Sequence, residues 1–265
     1  MKPAAFSYAR PRDWPEALAL VASGARPGAG TQSLGPLLNL RLAQPETIAD
    51  LRHLPDYAGV TLAGDVLRIG AGTTHAAIED GAVPGRMGEI MASIARRIAY
   101  RPVRNRGTIG GSLAHADPAA DWVAVLPALG GTAIALGPNG ERRIALAGFV
   151  TGIFETALAA DELLRAVEVP VLPAGARWGH WKFCRKIGEF SKATACVLSV
   201  PGAAPRAVLA ALDGPPLVVE DASALLADTE AEAARIVSSF PELDDWRRAI
   251  ALTALRHAVA AVTQA

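Results

Sequence analysis

The amino-acid sequence predicts an α+β fold, and three observations support this fold class. Short segments rich in Val, Ile and Leu alternate with longer segments whose apolar residues recur at helical spacing. Gly and Pro are scattered between these segments as turns, without a low-complexity linker. Near residue 172 the pattern changes, because Pro170, Pro173 and Gly175 precede an aromatic, basic strand candidate. We therefore predict two domains, which cover residues 1–172 (sub-parts at about 1–55 and 56–172) and 173–265.

The first element is predicted to be a helix. Asp13, with Glu16 three residues later, is typical of a capped helix start, and Gly24 is typical of the helix end. The next helix candidate is the leucine-rich segment Leu34–Leu42, and Ser33 is expected to cap it.

In the first predicted domain, strands and helices alternate along the chain. In the second, the strands come first and the helices follow. Pro138-Asn139-Gly140 is a plausible hairpin turn between two strands. In the first domain, strands are predicted over Thr47–Leu51, Val66–Ile69, Thr132–Leu136 and Ile144–Leu146, and helices over Met87–Ala99 and Ala119–Leu129. In the second, we expect an antiparallel sheet of three or more strands from Trp178–Lys186, Ala195–Val200, Ala207–Leu212 and Leu217–Val219, followed by helices over Asp228–Ser239 and Asp244–Val262.

Length, charge and cysteine content exclude several classes of protein. A chain of 265 residues can bury a core without disulfides or metals. Lys+Arg and Asp+Glu both number 26, so no basic field would attract nucleic acid or an anionic bilayer. Two cysteines are too few for an iron–sulfur cluster or a four-cysteine zinc site. The N-terminus lacks an apolar stretch, so we expect no membrane insertion and a cytoplasmic location.

Two glycine-rich loops, Gly28–Leu34 and Arg106–Ser112, are candidates for binding phosphate groups. Unpaired backbone N–H groups in such a turn, with a helix behind them, form a concave site for phosphate oxygens. Each loop also carries two hydroxyl groups, from Thr31 and Ser33 in the first loop and from Thr108 and Ser112 in the second. An ordinary turn is the alternative for either loop. The Rossmann fingerprint fits the first loop poorly, because Ser stands where its last Gly or Ala is required.

The sequence of both loops resembles the FAD-binding medium subunits of carbon monoxide dehydrogenase, xanthine dehydrogenase and related molybdenum hydroxylases. The first flavin loop of that family reads roughly A-G-G-x-S-L, and this chain has Ala29-Gly30-Thr31-Gln32-Ser33-Leu34. The second reads T-I-G-G-N-L followed by D-P-x-x-D, matched by Thr108-Ile109-Gly110-Gly111-Ser112-Leu113 and Asp117-Pro118-Ala119-Ala120-Asp121. The resemblance extends from Phe6 to about Val200, and more loosely to the end.

The resemblance implies FAD as the cofactor and a particular fold around it. That fold is the two-part FAD-binding domain of the para-cresol methylhydroxylase type, followed by a smaller C-terminal α+β domain. Both loops are implied to surround the FAD pyrophosphate, and the segment with Asp117 places Asp121 to accept hydrogen bonds from ribose or ribityl hydroxyls. His75 and His115 are expected to have structural or cofactor-shell roles, and neither a catalytic residue nor a metal site is expected in the chain.

A third block, Lys182–Phe190, resembles the family segment K-x-x-R-K-I-G-D-Y, whose ends face the flavin ring in relatives. Lys182 is thereby implied to lie near the N1/C2 edge and to favour the anionic reduced flavin. Three residues depart from the family pattern. Thr31 replaces Gly, so its φ must stay negative or its backbone must be strained. Ser112 replaces Asn, and Phe190 replaces Tyr and so lacks the hydroxyl.

The function implied by the resemblance is electron transfer inside a larger complex. A large molybdopterin subunit would oxidise the substrate, and [2Fe-2S] clusters in a small subunit would pass the electrons to this chain. Its FAD would then pass them to NAD, a quinone or O₂. The aromatic residues Trp178, Trp181 and Phe190 are candidates for the contact with the partner. Two alternatives stay open: a docking or structural subunit that has lost FAD, and a free-standing flavin oxidoreductase.

Overall fold

The computed structural model describes residues 2–264 and confirms the α+β fold class. The N-terminal part consists of β1 (Ser7–Ala9), α1 (Trp14–Ala22), β2 (Arg26–Gly28), α2 (Leu34–Asn39) and β3 (Thr47–Asp50). The three strands form a parallel sheet in the order β1-β3-β2, with the helices in the crossovers. Neither β1 nor β2 was predicted, because each strand has only three residues, too few for a visible pattern.

The sequence-based prediction is correct for the start of α1 and less accurate for α2. Asp13 caps α1 as predicted, since its carboxylate accepts a hydrogen bond from the amide of Glu16 at 2.9 Å. The prediction for Ser33 is wrong: it precedes α2 with helical backbone angles, and its side chain makes no capping hydrogen bond. The helix α2 ends at Asn39, whereas the predicted segment extended to Leu42. Arg41, two residues after the helix, adopts a left-handed φ of 57°.

The middle part of the chain is a five-stranded antiparallel sheet with helices between its strands. Its helices are α3 (His75–Glu79), α4 (Gly85–Ala95), α5 (Arg101–Arg104), α6 (Ile109–His115) and α7 (Asp121–Ala128). Its strands are β4 (Val60–Ala63), β5 (Val66–Gly70), β6 (Thr132–Gly137), β7 (Gly140–Ala145), β8 (Val150–Gly152), β9 (Glu155–Thr156) and β10 (Leu163–Pro170). The sheet order is β4-β5-β10-β6-β7, and β8 and β9 form a separate hairpin. The predicted turn at 138–140 joins β6 to β7.

The largest difference from the sequence prediction concerns the second glycine loop. Residues 109–115 form the helix α6, which was expected to be a loop that precedes the next helix. Two adjacent glycines, Gly110 and Gly111, disfavour a helix by propensity. The Thr108 side chain overrides that preference by accepting a hydrogen bond from the amide of Gly111 at 3.0 Å.

The C-terminal part is a four-stranded antiparallel sheet followed by three helices. Its elements are β11 (Arg177–Phe183), β12 (Ala193–Ser199), β13 (Arg206–Ala210), β14 (Leu217–Val219), α8 (Ser223–Ala227), α9 (Thr229–Ser238) and α10 (Asp245–Thr263). Neighbouring strands follow one another in the chain. One face of the sheet, with Cys196 and Leu198, joins the core around α7, and the other, with Ala195 and Val197, packs against α9 and α10. The domain boundary at 172/173 stays a prediction.

No helix in residues 2–264 is both long and apolar enough to cross a bilayer. No group of three or more His, Cys, Asp or Glu side chains in the same range is arranged to hold a metal ion.

Candidate functional site

A cavity of about 860 Å³ is lined by residues from all three parts of the chain. Its volume lies within the range of roughly 300–1,000 Å³ that is common for cofactor sites. Most of the residues predicted from the sequence line it: Ala29, Gly30, Thr31, Gln32, Ser33, Leu34, Thr108, Gly110, Gly111, Ser112, Asp117, Asp121 and Phe190. Ile109 and Lys182 do not, because both side chains are buried elsewhere in the protein.

The first glycine loop has the properties of an anion-binding site. Within residues 2–264, none of the amide N–H groups of residues 29–34 donates to an acceptor in the protein. Thr31 adopts the left-handed conformation, with a φ of 57°. Of the two expectations for this residue, a negative φ or a strained backbone, the structure shows the strained backbone. Successive unpaired amides in a turn that includes a left-handed residue form a concave surface suited to phosphate oxygens.

The second glycine loop differs from this expectation, because its amides at residues 109–112 are already hydrogen-bonded inside the protein. Ile109 donates to Thr73 O at 3.0 Å and Gly110 to Ala71 O at 2.9 Å. The amide of Gly111 donates to the Thr108 hydroxyl, and that of the next residue to the Thr108 carbonyl. We expected both loops to offer runs of free amides to a pyrophosphate. Among the described residues, only the first loop has such a run. The second loop contributes the wall of the cavity and the hydroxyl of Ser112.

The structure also corrects the role expected for Lys182. Its ammonium lies 2.8 and 3.0 Å from the two carboxylate oxygens of Asp121, and 3.0 Å from the carbonyl oxygen of Arg97. All three ammonium protons are thus used within the protein, and the side chain does not line the cavity. Lys182 is not placed to contact a flavin edge directly. Asp121, which does line the cavity, keeps one side of its carboxylate engaged by this lysine.

The sequence analysis missed two residues that line the cavity, Arg26 and Tyr57. Arg26 is the one Arg or Lys side chain that lines the cavity in the described part of the chain, and it has no carboxylate partner there. Tyr57 is buried against Trp14, and burial raises the pKa of its hydroxyl, which therefore stays protonated. The only sequence signal was the position of Arg26 just before the first loop. Tyr57 lies between the two glycine loops in the sequence and carries no recognisable pattern.

His75 lies in the wall of the cavity as a neutral imidazole. The indole N–H of Trp122 donates to His75 Nδ1 at 3.1 Å. Burial, and secondarily the charge of Arg104, lower the pKa of His75 to about 4. Because Nδ1 accepts a hydrogen bond, the proton of the neutral ring is on Nε2. The expected structural or cofactor-shell role of His75 fits this arrangement.

Exposed apolar side chains surround the mouth of the cavity. Phe190 is 63 % exposed, and Phe154, at the tip of the β8–β9 hairpin, contacts the His115 ring in a tilted arrangement, with 5.0 Å between ring centroids. Trp178 and Trp181 were expected to share such a surface with Phe190. They instead point to opposite faces of β11 and pack into the two separate cores, so they do not form one surface.

Comparisons with known proteins agree on one family. Residues 4–172 match the family model described as the FAD binding domain in molybdopterin dehydrogenase. The nicotine 6-hydroxylase medium subunit of Paenarthrobacter nicotinovorans is 38 % identical over 200 residues, which cover 75 % of this chain and 70 % of that protein. The carbon monoxide dehydrogenase medium chain of Afipia carboxidovorans is also 38 % identical, over 202 residues, with the same coverage of 75 % and 70 %.

A solved structure extends the similarity to the whole chain. It is that of carbon monoxide dehydrogenase from Hydrogenophaga pseudoflava lacking the Mo-pyranopterin moiety of its molybdenum cofactor. The TM-score is 0.91 at 30 % identity, and the match covers 99 % of this chain and 98 % of that one. The chain therefore belongs to the family of FAD-binding medium subunits of the molybdenum hydroxylases, which are oxidoreductase subunits with FAD as their cofactor.

Proposed function

We propose that this chain carries electrons through FAD between two partners of a molybdenum hydroxylase complex. The electrons would come from the [2Fe-2S] clusters of a small subunit, after a large molybdopterin subunit has oxidised the substrate. They would leave to an external acceptor, which is NAD, a quinone or O₂. The observation that carries the proposal is the run of six unpaired amides at residues 29–34 in the wall of a cavity of cofactor size.

The lining residues supply binding and orientation for the cofactor. We assign the amides of residues 29–34 to the pyrophosphate, with Arg26 as the cation that offsets its charge. The hydroxyls of Thr31, Ser33 and Ser112 are further donors. Asp121 accepts hydrogen bonds from hydroxyl groups of the cofactor, and Nε2 of His75 donates one. Bound FAD supplies the reversible uptake and release of electrons, and the protein positions it.

The names of the relatives support a role as one subunit among several. The two similar chains are medium subunits of a nicotine hydroxylase and of a carbon monoxide dehydrogenase. We infer that substrate oxidation takes place in a partner and that the apolar mouth of the cavity, with Phe190 and Phe154, faces the subunit that donates electrons. The cytoplasmic location expected from the sequence stays a prediction.

The experiment that tests the proposal follows the flavin directly. The purified chain is mixed with its iron–sulfur and molybdopterin subunits, substrate is added, and flavin bleaching is followed by stopped flow. We expect bleaching only when the cluster-bearing subunit is present. Reduced clusters beside a bound flavin that stays oxidised would eliminate the electron-transfer role. A chain purified without yellow colour would favour the docking subunit, and turnover of a small substrate by the chain alone would favour a free-standing flavin enzyme.

A further inference from the structure

We propose that Lys182 is a positioning residue that couples the docking of the C-terminal sheet to FAD binding through Asp121. The proposal rests on the assignment of FAD to the cavity. Lys182 lies on β11, in the C-terminal sheet, whereas Asp121 is the first residue of α7, 61 residues earlier. The pair therefore joins the sheet to a residue that lines the cavity, without itself needing to touch the cofactor.

The pair is buried, and all three protons of the Lys182 ammonium are hydrogen-bonded. Lys182 is 4 % exposed and Asp121 is 9 % exposed. The lysine donates to both carboxylate oxygens, at 2.8 and 3.0 Å, and its third proton goes to the carbonyl of Arg97. A carboxylate bound on one side in this way has a fixed orientation and lone pairs left for an acceptor role in the cavity.

The surroundings make Asp121 depend on this lysine for its negative charge. Burial raises the pKa of Asp121, and the Lys182 ammonium opposes that rise. Arg97, at the end of α4, also favours the ionised form. Burial keeps His180 on β11 neutral, and it raises the pKa of Cys196 on β12 so that its thiol stays protonated; neither side chain therefore adds a charge beside Asp121. Without Lys182, the buried carboxylate loses its one direct ionic partner among the described residues.

The same lysine fixes part of the cavity wall. Three successive backbone carbonyls, of residues 97, 98 and 99, are held by cationic side chains: the first by Lys182, and the other two by Arg104 at 3.0 and 3.2 Å. Ile98 and Ala99 line the cavity, and Ala99 adopts a φ of 41°. Lys182 thus fixes both the carboxylate and the start of a strained segment at the cavity.

The test compares Lys182→Met, Asp121→Asn and the double variant, with Lys186→Met as the matched control. Lys186 is exposed, belongs to the same segment, and does not line the cavity. The Kd for FAD is measured by flavin fluorescence across pH, and the unfolding of the FAD-free chain is measured separately. In the Lys182→Met variant we expect FAD binding to weaken by about tenfold or more, which corresponds to roughly 1.4 kcal/mol. Binding should partly recover as pH rises and ionises Asp121, and in the wild type this ionisation should occur at lower pH, because Lys182 opposes the rise in the pKa of Asp121.

The double variant separates positioning from a merely structural role. Removing both charges should restore stability of the FAD-free chain, because no uncompensated buried charge is left. FAD binding should stay weak, because the ionised acceptor is still missing. Wild-type affinity in either the Lys182→Met or the double variant overturns the coupling. Failure of the wild-type chain to bind FAD would refute the proposed function itself, and the Lys186→Met control should match the wild type in every measurement.

Discussion

Gly30 lies directly against the carbonyl group of Arg106, and the two glycine loops meet at this contact. A Cβ atom built on Gly30 would be 2.0 Å from the Arg106 oxygen and 2.8 Å from the Cα of Gly107. No side chain fits there without separating the loops. The requirement for glycine at this position is therefore set by contact between protein segments, and not only by the space that a phosphate needs.

Replacing Gly30 with Ala should therefore abolish retention of FAD. The added methyl group would push the first loop away from the Arg106 carbonyl and displace the unpaired amides. Flavin absorbance after gel filtration measures the loss. Gly35→Ala is the matched control, because a Cβ there meets nothing within 4 Å. It lies in α2, so it should keep FAD and gain up to about 1 kcal/mol of stability. Equal FAD retention by both variants would contradict the loop contact.

Thr31 holds a backbone conformation that suits glycine better. At a φ of 57° a β-branched residue costs on the order of 1 kcal/mol, so Thr31→Gly should raise the free energy of unfolding by about that amount. We expect FAD affinity to be kept or improved, as titration of the FAD-free chain would show. Thr31→Ser keeps the hydroxyl, and Thr31→Ala removes it. If only the serine variant keeps wild-type affinity, the hydroxyl is a cofactor ligand and the conformation is secondary.

Gly110 and Gly111 should respond differently to substitution, although they are adjacent in α6. A Cβ on Gly110 would be 2.3 Å from the Cβ of Ala71, so Gly110→Ala should lower stability by roughly 1–3 kcal/mol. Gly111 instead faces Thr108 at 2.8 Å and Ala29 at 3.8 Å, beside the first loop. Gly111→Asp should remove FAD by repelling the pyrophosphate. Denaturant unfolding of the FAD-free chains distinguishes the two, and a Gly110→Ala chain as stable as the wild type would contradict the packing.

His75 should make the stability of the FAD-free chain fall in mildly acidic solution. Its pKa is about 4 in the folded chain and 6.5 in the unfolded chain, so only the unfolded chain binds the proton between these values. The stability that His75 contributes is complete above pH 6.5 and is lost as pH falls toward 4. In His75→Gln, urea unfolding at pH about 7.5 and about 5 should show a smaller difference than in the wild type. An unchanged difference would assign the acid sensitivity to other groups, such as His180.

Local signals in the sequence predicted the elements that depend on neighbouring residues. The Asp13 cap and the turn before Gly140 lie within a few residues of the groups they bind, so their patterns are visible in the sequence. The cavity residues were predicted through the family motifs, which carry more information than propensity alone. The helix α7, which begins at Asp121, corresponds to the helix predicted over Ala119–Leu129 from its apolar pattern.

Features that depend on distant partners could not be predicted. The helix α6 contains two glycines, and it is supported by hydrogen bonds to Ala71 and Thr73, which lie on another segment. Lys182 was expected at the flavin edge; its ion pair with Asp121 has no local signal in the sequence, because the two residues are 61 positions apart. Tyr57 lines the cavity only because the chain brings it beside β5 and the residues that follow, a relation that no short pattern records.

The C-terminal sheet has a consequence for any shortened form of this chain. Both faces of the sheet are apolar, and one of them covers α7, which has every side chain buried. A chain that ended near residue 172 would retain most of the cavity lining yet expose that helix to water. The exposed apolar surface would favour self-association of the shortened chain. The segment that supplies most of the cavity lining therefore depends on the C-terminal sheet to keep α7 buried.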